Sequence, residues 1–204
     1  MRPANRLFFA AGLALSLGLA ACGPKGGAVT SEDMSLGNPK ADVTVIEYAS
    51  ASCVHCAAWD KDVWPAFKAK YVDTNQVNYV FREFITSPPQ LAAAGFLLAR
   101  CAGKDKYFGV LDQVFRAQDE VFRTGDMRGP LVAVAAQAGL SEDQFNKCVG
   151  DEKALNELNA RVEKYSRDEQ INSTPTFVVN GTKLEGEQTM AAMDAAIAAA
   201  RAKK

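Results

Sequence analysis

The pattern of apolar and polar residues predicts a β-strand in each of two segments in the first half of the chain. Residues 42–50, DVTVIEYAS, are apolar and β-branched at Val43, Val45 and Ile46, and in residues 76–84, QVNYVFREF, Val77, Tyr79 and Phe81 stand at alternate positions. Between these segments apolar side chains recur at every fourth position, which predicts a helix. They are Trp59, Val63, Phe67 and Tyr71. Pro65 falls inside this stripe and predicts a kink.

The spacing of apolar residues becomes helical from about residue 86 to about residue 170. Ser87 is predicted to be the N-cap of the first helix, with Pro88 at the first helical position and Gln90 as capping-box partner. The sequence SEDQ at 141–144 predicts a second capping box. Residues 106–122 and 154–165 carry apolar stripes at helical spacing.

Strand signals return in TFVVNGTKLEG, where Asn180-Gly181 predicts a hairpin turn, and a final helix is predicted from about Glu187. The predicted order is therefore strand, helix, strand, helical block, hairpin and helix. This order predicts an α/β domain over residues 42–204 with a large helical insertion at about 86–170.

The first 21 residues have the pattern of a secretory signal peptide, with Arg2 and Arg6 before an apolar run that is short for a membrane span. LAAC, which ends at Cys22, resembles the bacterial lipobox. That resemblance implies diacylation of Cys22 and anchoring by lipid. Ordinary cleavage and an uncleaved anchor helix remain alternatives. Gly23 leaves the choice between inner and outer membrane open. Residues 22–41, rich in Gly, Pro, Ser and charge, are predicted to be a flexible tether.

The net charge is −1, and positive and negative residues are mixed along the chain, which makes nucleic acid a poor candidate partner. The chain has five cysteines. One is the candidate lipid site, two form a close pair, Cys53 and Cys56, and two remain, Cys101 and Cys148. An exported protein meets an oxidising compartment, where disulfides persist.

The close pair lies in CVHC, where a predicted strand ends and a predicted helix begins. Unpaired N–H groups and the helix dipole favour an anion at this position, and the thiolate is the reactive form of cysteine. Cys53 is therefore predicted to be the exposed nucleophile and Cys56 the buried resolving thiol. His55, through its N–H or its imidazolium, is predicted to stabilise the Cys53 thiolate.

Three other interpretations compete with redox chemistry. Zinc normally takes four ligands, and the chain offers one CxxC and a single histidine. Copper(I) suits two thiolates with His55, and a structural short-loop disulfide is also possible. The position at a helix N-terminus favours reactivity over all three.

LGNPKADVTVIEYASASCVHC, the helical insertion and INSTPTFVVNG together resemble the DsbA-like branch of the thioredoxin superfamily, over about 165 residues from Leu36. The resemblance implies a thioredoxin fold whose helical insertion lies between the second strand and the cis-proline strand. It implies that Pro175 is cis and packs beside the active-site sulfurs. It also implies that Thr174 offers its backbone to a substrate peptide, which pairs as an added strand.

Glu47 lies six positions before Cys53 in the first predicted strand. It is either an acid facing the sheet edge or, as the matching acid of DsbA-like proteins implies, a buried group that relays a proton to or from Cys56. Arg82 is a candidate partner for it. Some DsbA-like proteins have a second, structural disulfide, which here would join Cys101 and Cys148; the alternative is two separate core cysteines.

The resulting hypothesis is a monomeric, lipid-anchored oxidoreductase on the periplasmic side of a bacterial membrane, which introduces disulfides into exported proteins. It needs no cofactor beyond the Cys53–Cys56 disulfide and is reoxidised, by resemblance, by a DsbB-like quinone reductase. Val54 departs from the proline usual in oxidases, and Thr174 also occurs in reductases and isomerases, so a reductase or isomerase of the same fold is the nearest alternative to the favoured oxidase. Alternatives of another class are a copper carrier and a chaperone-like binding module.

Overall fold

The computed structural model describes residues 27–203, so the predicted signal peptide at 1–21 and the predicted lipid site Cys22 lie outside the described residues. The strands are β1 (Met34–Gly37), β2 (Thr44–Ala49), β3 (Asn78–Glu83), β4 (Thr176–Val179) and β5 (Thr182–Glu185). The helices are α1 (Val54–Asp62), α2 (Trp64–Phe67), α3 (Pro89–Cys101), α4 (Tyr107–Thr124), α5 (Arg128–Gln137), α6 (Glu142–Val149), α7 (Glu152–Asp168) and α8 (Met190–Ala202). Each of these helices is too short or too polar to cross a membrane.

The five strands form one sheet in the order β1-β3-β2-β4-β5. β2 and β3 are parallel, which requires the crossover made by α1 and α2, and the other pairs are antiparallel. Asn180 and Gly181 adopt φ values of 44° and 87° in the β4–β5 turn, as the predicted hairpin requires. Helices α3–α7 lie between β3 and β4 in the chain. The predicted α/β fold with a helical insertion is therefore confirmed.

Side chains on the two faces of the sheet belong to two separate apolar clusters. One face packs against α1, α8 and the helical insertion, and its sheet residues include Val45, Ala49, Tyr79, Phe81 and Phe177. The other face packs against α7 and the segment that follows it, through Ile46, Tyr48, Val80, Val178, Tyr165 and Ile171. Successive residues of a strand point to opposite faces, so adjacent positions of β2 belong to different clusters.

The predicted flexible tether at 22–41 is wrong for its described part. β1 pairs antiparallel with β3, with Met34 opposite Phe81. Ahead of β1, the side chain of Arg82 donates hydrogen bonds to the carbonyl oxygens of Gly27 and Ala28, both at 3.0 Å. The segment is polar in composition, but its backbone groups are bound to the sheet and to a buried guanidinium, which fixes it in place.

The predicted interruption of the helical stripe near Pro65 is present: α1 ends at Asp62, α2 begins at Trp64, and Pro65 lies in the first turn of α2, where a missing N–H costs little. The predicted capping box at Ser87 is wrong. Helix α3 begins at Pro89 with Pro88 as its N-cap, so Ser87 forms no capping box. The capping box of Ser141 and Gln144 at the start of α6 is present.

A disulfide between Cys101 and Cys148 ties the end of α3 to α6, with the two Cα atoms 5.8 Å apart. Both cysteines belong to the helical insertion. The bond therefore braces the insertion itself and leaves the sheet untouched.

Candidate active site

Cys53 lies just beyond the carboxyl end of β2 and is the N-cap of α1. Its extended backbone (φ −87°, ψ 118°) turns the sulfur back over the first turn, where Sγ accepts a hydrogen bond from the Cys56 N–H at 3.3 Å. Cys53 is partly exposed, whereas Cys56 is completely buried. These exposures are the ones that an attacking thiol and a resolving thiol require.

The environment of Cys53 lowers its pKa from 9.0 to about 6. The largest cause is the hydrogen bond with the Cys56 thiol, which outweighs the opposing effect of burial. The Thr174 side chain and the backbone N–H groups of Cys56 and His55 lower the pKa further. The thiolate is thus stabilised by the helix start itself.

The pKa of Cys56 is shifted in the opposite direction. Burial is the first cause that raises its pKa well above the usual value, and the hydrogen bond and negative charge of Cys53 add to it, as does the charge of Glu47. The two cysteines therefore differ in protonation state: at neutral pH Cys53 is a thiolate and Cys56 a protonated thiol.

Glu47 is in β2, the central strand, and is 2% exposed, so the alternative of an edge-facing acid is wrong. Its side chain lies on the same face as Val45 and Ala49, and the Tyr79 hydroxyl donates a hydrogen bond to its Oε2. Burial raises the pKa of Glu47 from 4.5 to about 8, against the lowering effect of the Tyr79 hydrogen bond. Glu47 is therefore a largely protonated acid near the active-site sulfurs at neutral pH.

The predicted pairing of Arg82 with Glu47 is wrong. Glu47 lies opposite Phe81 in the β2–β3 register, so the next residue, Arg82, points to the other face of the sheet. There its Nε lies 3.0 Å from Asp33 Oδ1 and its Nη1 lies 2.9 Å from Glu169 Oε2.

The imidazole of His55 is not among the groups that lower the Cys53 pKa; its backbone N–H is. The His55 side chain is 70% exposed, and its Nδ1 contacts Oε1 of Glu187, in the loop between β5 and α8. No sequence pattern drew attention to Glu187, which lies 132 residues away in the chain.

The peptide bond between Thr174 and Pro175 is cis, at the entry to β4. The Cys53 Sγ lies 3.5 Å from the Thr174 carbonyl oxygen, so this loop forms the wall opposite the helix start. An open groove beside Cys53 is lined in part by Val54, Phe122 and Thr174. Val54 and Phe122 are among the few large apolar side chains exposed in the described part of the chain.

Gln118 of α4 joins the helical insertion to the active-site loop. Its Nε2 donates to the carbonyl oxygens of Ala51 at 2.9 Å and Cys53 at 3.3 Å, and the side chain is 2% exposed. Gln118 was not among the site residues predicted from the sequence. A signal was present, since Gln118 occupies a position on the apolar stripe of its helix, between Val114 and Val121.

Within residues 27–203, no group of three or more His, Cys, Asp or Glu side chains is placed to bind a metal ion.

The site has a cysteine of lowered pKa and a cysteine of raised pKa at a strand-to-helix junction, and both face a cis-proline. This arrangement defines a redox site of the thioredoxin type. The chain belongs to the thioredoxin family, whose model, described as "Thioredoxin", matches residues 29–199. Within that family it is DsbA-like: it is similar to the crystal structure of Wolbachia pipientis alpha-DsbA1, with a TM-score of 0.78 and 28% identity over 86% of this chain and 94% of that chain.

Curated relatives of the chain are also named as disulfide oxidoreductases. A Rickettsia typhi protein named as a protein-disulfide oxidoreductase is 34% identical over 158 residues, which are 77% of this chain and 58% of that protein. A Rickettsia bellii protein of the same name is 34% identical over 173 residues, 83% of this chain and 66% of that protein. The chain thus spans less than two thirds of the length of these relatives.

Proposed function

We propose that this protein is a thiol–disulfide oxidoreductase that oxidises exported proteins. The observation that carries the proposal is that the pKa of Cys53 is lowered while that of Cys56 is raised. A stabilised thiolate favours the reduced form of the pair, and a protein whose reduced form is favoured is an oxidant. The relatives named as protein-disulfide oxidoreductases and the likeness to alpha-DsbA1 support the same activity.

The reaction begins with the Cys53–Cys56 disulfide. A substrate thiolate attacks Sγ of Cys53, the exposed sulfur; the Cys53–Cys56 bond breaks, and a mixed disulfide forms between the substrate and Cys53. A second substrate thiolate then attacks the substrate sulfur of that mixed disulfide and releases Cys53 as a thiolate. Two substrate thiols are oxidised to one disulfide, and the two electrons remain on the reduced Cys53–Cys56 pair.

The leaving sulfur of Cys56 needs a proton, because its pKa is raised far above neutral pH. Glu47, with a pKa of about 8, holds a proton at neutral pH and is buried close enough for its charge to affect Cys56. We assign to Glu47 the transfer of that proton to Cys56, and its removal when the disulfide re-forms.

Substrate docking is proposed at the wall formed by Thr174 and Pro175. The backbone of Thr174 would pair with an extended peptide, and the apolar groove with Val54 and Phe122 would receive its side chains. Reoxidation by a DsbB-like quinone reductase, attachment through Cys22, a periplasmic location and a monomeric state belong to this proposal. So does the absence of any cofactor beyond the Cys53–Cys56 disulfide.

The test is oxidation of a reduced peptide with two cysteines, with Cys53→Ser and Cys56→Ser variants alongside the parent. We expect both variants to be inactive, because neither can form the Cys53–Cys56 disulfide that takes the two electrons. Given glutathione disulfide, the Cys53 thiolate of Cys56→Ser should form a mixed disulfide and release glutathione thiolate, whereas Cys53→Ser should not. The reduction potential of the parent, measured against glutathione, decides the direction. A potential above about −200 mV supports an oxidase. A value well below the glutathione range would overturn the oxidase proposal in favour of a reductase.

A further inference from the structure

The loop between β5 and α8 brings a carboxylate to the histidine of the CVHC sequence. His55 Nδ1 contacts Glu187 Oε1, and the two side chains are 70% and 44% exposed. We propose that Glu187 is a positioning residue that holds the His55 imidazole and lowers the oxidising power of the Cys53–Cys56 pair. This inference rests on the thiol–disulfide activity proposed above, but not on its direction.

The position of Glu187 is fixed by bonds on both sides of it. The Gly186 N–H donates to the Pro175 carbonyl oxygen at 2.8 Å, which ties the loop to the cis-proline. The indole N–H of Trp59, in α1, donates to the Gln188 carbonyl oxygen at 2.9 Å. Glu187 therefore lies between Gly186 and Gln188, which are both hydrogen-bonded to residues of the active-site walls. A loop held at both neighbours presents its side chain to His55 with little entropic cost.

The contact with Glu187 holds the His55 imidazole away from the Cys53 sulfur. The groups that stabilise the Cys53 thiolate are the Cys56 thiol, the Thr174 side chain and the N–H groups at the helix start. The imidazole of His55 is not one of them, although it belongs to the residue between the two cysteines. Its Nδ1 contacts the Glu187 carboxylate instead.

The sign of the effect follows from counting charge. With a carboxylate at position 187, the pair formed with His55 carries a net charge between −1 and 0, according to the ionisation of the imidazole. With glutamine there, the net charge lies between 0 and +1. The substitution Glu187→Gln therefore makes this side of the active site more positive in either case, and it also frees the imidazole. Both effects stabilise the Cys53 thiolate and favour the reduced protein.

The size of the effect is limited by exposure. Both side chains lie in solvent, where charge interactions are screened and modest. We expect Glu187→Gln to shift the equilibrium with glutathione two- to fivefold toward the reduced protein, which corresponds to about 10–20 mV at about 30 mV per tenfold change. The shift should shrink in 1 M salt, where the Debye length is about 3 Å.

The experiment compares the reduction potentials of five full-length proteins: the parent, Glu187→Gln, Glu185→Gln, His55→Ala, and the double variant with Glu187→Gln and His55→Ala, which is measured against His55→Ala. Glu185 is the matched control, because it is an exposed glutamate two residues away, in β5, and loses the same charge. We expect a more oxidising potential in Glu187→Gln, little change in Glu185→Gln, and a much smaller shift in the His55→Ala background.

Three results would overturn the inference: no shift in Glu187→Gln, an equal shift in the Glu185→Gln control, or an undiminished shift without His55. The last result would mean that Glu187 acts by its charge alone and does not position the imidazole. The potential of the parent tests the proposed oxidase direction separately, since the role of Glu187 depends only on differences between variants.

Discussion

Replacing Glu47 by glutamine should make the folded protein more stable at neutral pH. Glu47 is buried in the central strand, and among residues 27–203 its hydrogen-bond partner is the Tyr79 hydroxyl, with no cation paired to it. Burial raises its pKa from 4.5 to about 8. Glutamine has nearly the same shape, can accept the same hydrogen bond, and has no charge to desolvate.

The magnitude follows from proton linkage. Above pH 4.5 the unfolded chain loses the Glu47 proton, while the folded protein keeps it until about pH 8. The folded state then binds more protons than the unfolded state, so stability falls as the pH rises through this window. At 1.36 kcal/mol per pH unit, the cost reaches about 3 kcal/mol at pH 7 and is under about 1 kcal/mol at pH 5. Glu47→Gln removes this cost.

The assay is urea unfolding of the oxidised protein at pH 5 and pH 7, followed by circular dichroism. Glu83 gives a matched control, since it is as buried as Glu47 but pairs with Arg100 at 2.6 Å and Arg161 at 2.7 Å. Glu83→Gln should destabilise the protein by about 3 kcal/mol, because it leaves two arginines unpaired. The two substitutions therefore have opposite expected signs at pH 7.

A Glu47→Gln variant with the stability of the parent at both pH values would refute the reasoning. So would a stabilisation of the same size at pH 5 and pH 7, because the linkage argument requires the gain to grow with pH. A loss of stability would mean that the carboxylate is charged and stabilised in the folded protein.

Three further predictions concern other parts of the molecule. Arg82→Met should destabilise the protein by about 3–5 kcal/mol in urea unfolding, because two buried carboxylates lose their cation; a cost below about 1 kcal/mol would contradict this. Replacing Cys101 and Cys148 together by alanine should lower stability by about 3–4 kcal/mol, whereas unchanged stability would argue against the bond. In the reduced protein, alkylation of Cys53 by iodoacetamide should accelerate with a midpoint near pH 6 and level off above about pH 7, while Cys56 stays unreactive; a rise continuing to pH 9 would disagree.

The redox pair was predictable because its chemistry depends on local structure. A strand followed at once by a helix start places Cys53 as N-cap and Cys56 one turn further on, and the residue pattern around CVHC specifies both elements. The hairpin turn at Asn180-Gly181 was predictable for the same reason, since it depends on the backbone preferences of two neighbours.

The partners of charged side chains depended on tertiary structure. Glu47 is buried because β4 and β3 flank β2, and the sequence does not specify the order of strands in the sheet. Arg82 meets Asp33 across 49 residues, after a segment that looked like a tether folds onto the sheet.

Residue patterns were enough to predict every strand except β1, the hairpin turn and the two sulfurs, because the spacing of neighbouring residues sets strand, helix and turn. The proline that faces the sulfurs was implied by the family resemblance. The contact of His55 with Glu187 required the tertiary structure, since a contact across 132 residues depends on how the loop before α8 docks against α1. The same holds for Thr174 and Glu47, which shift the pKa values of Cys53 and Cys56 from strands and loops that only the fold brings beside them, because charges and hydrogen bonds act through space rather than along the chain.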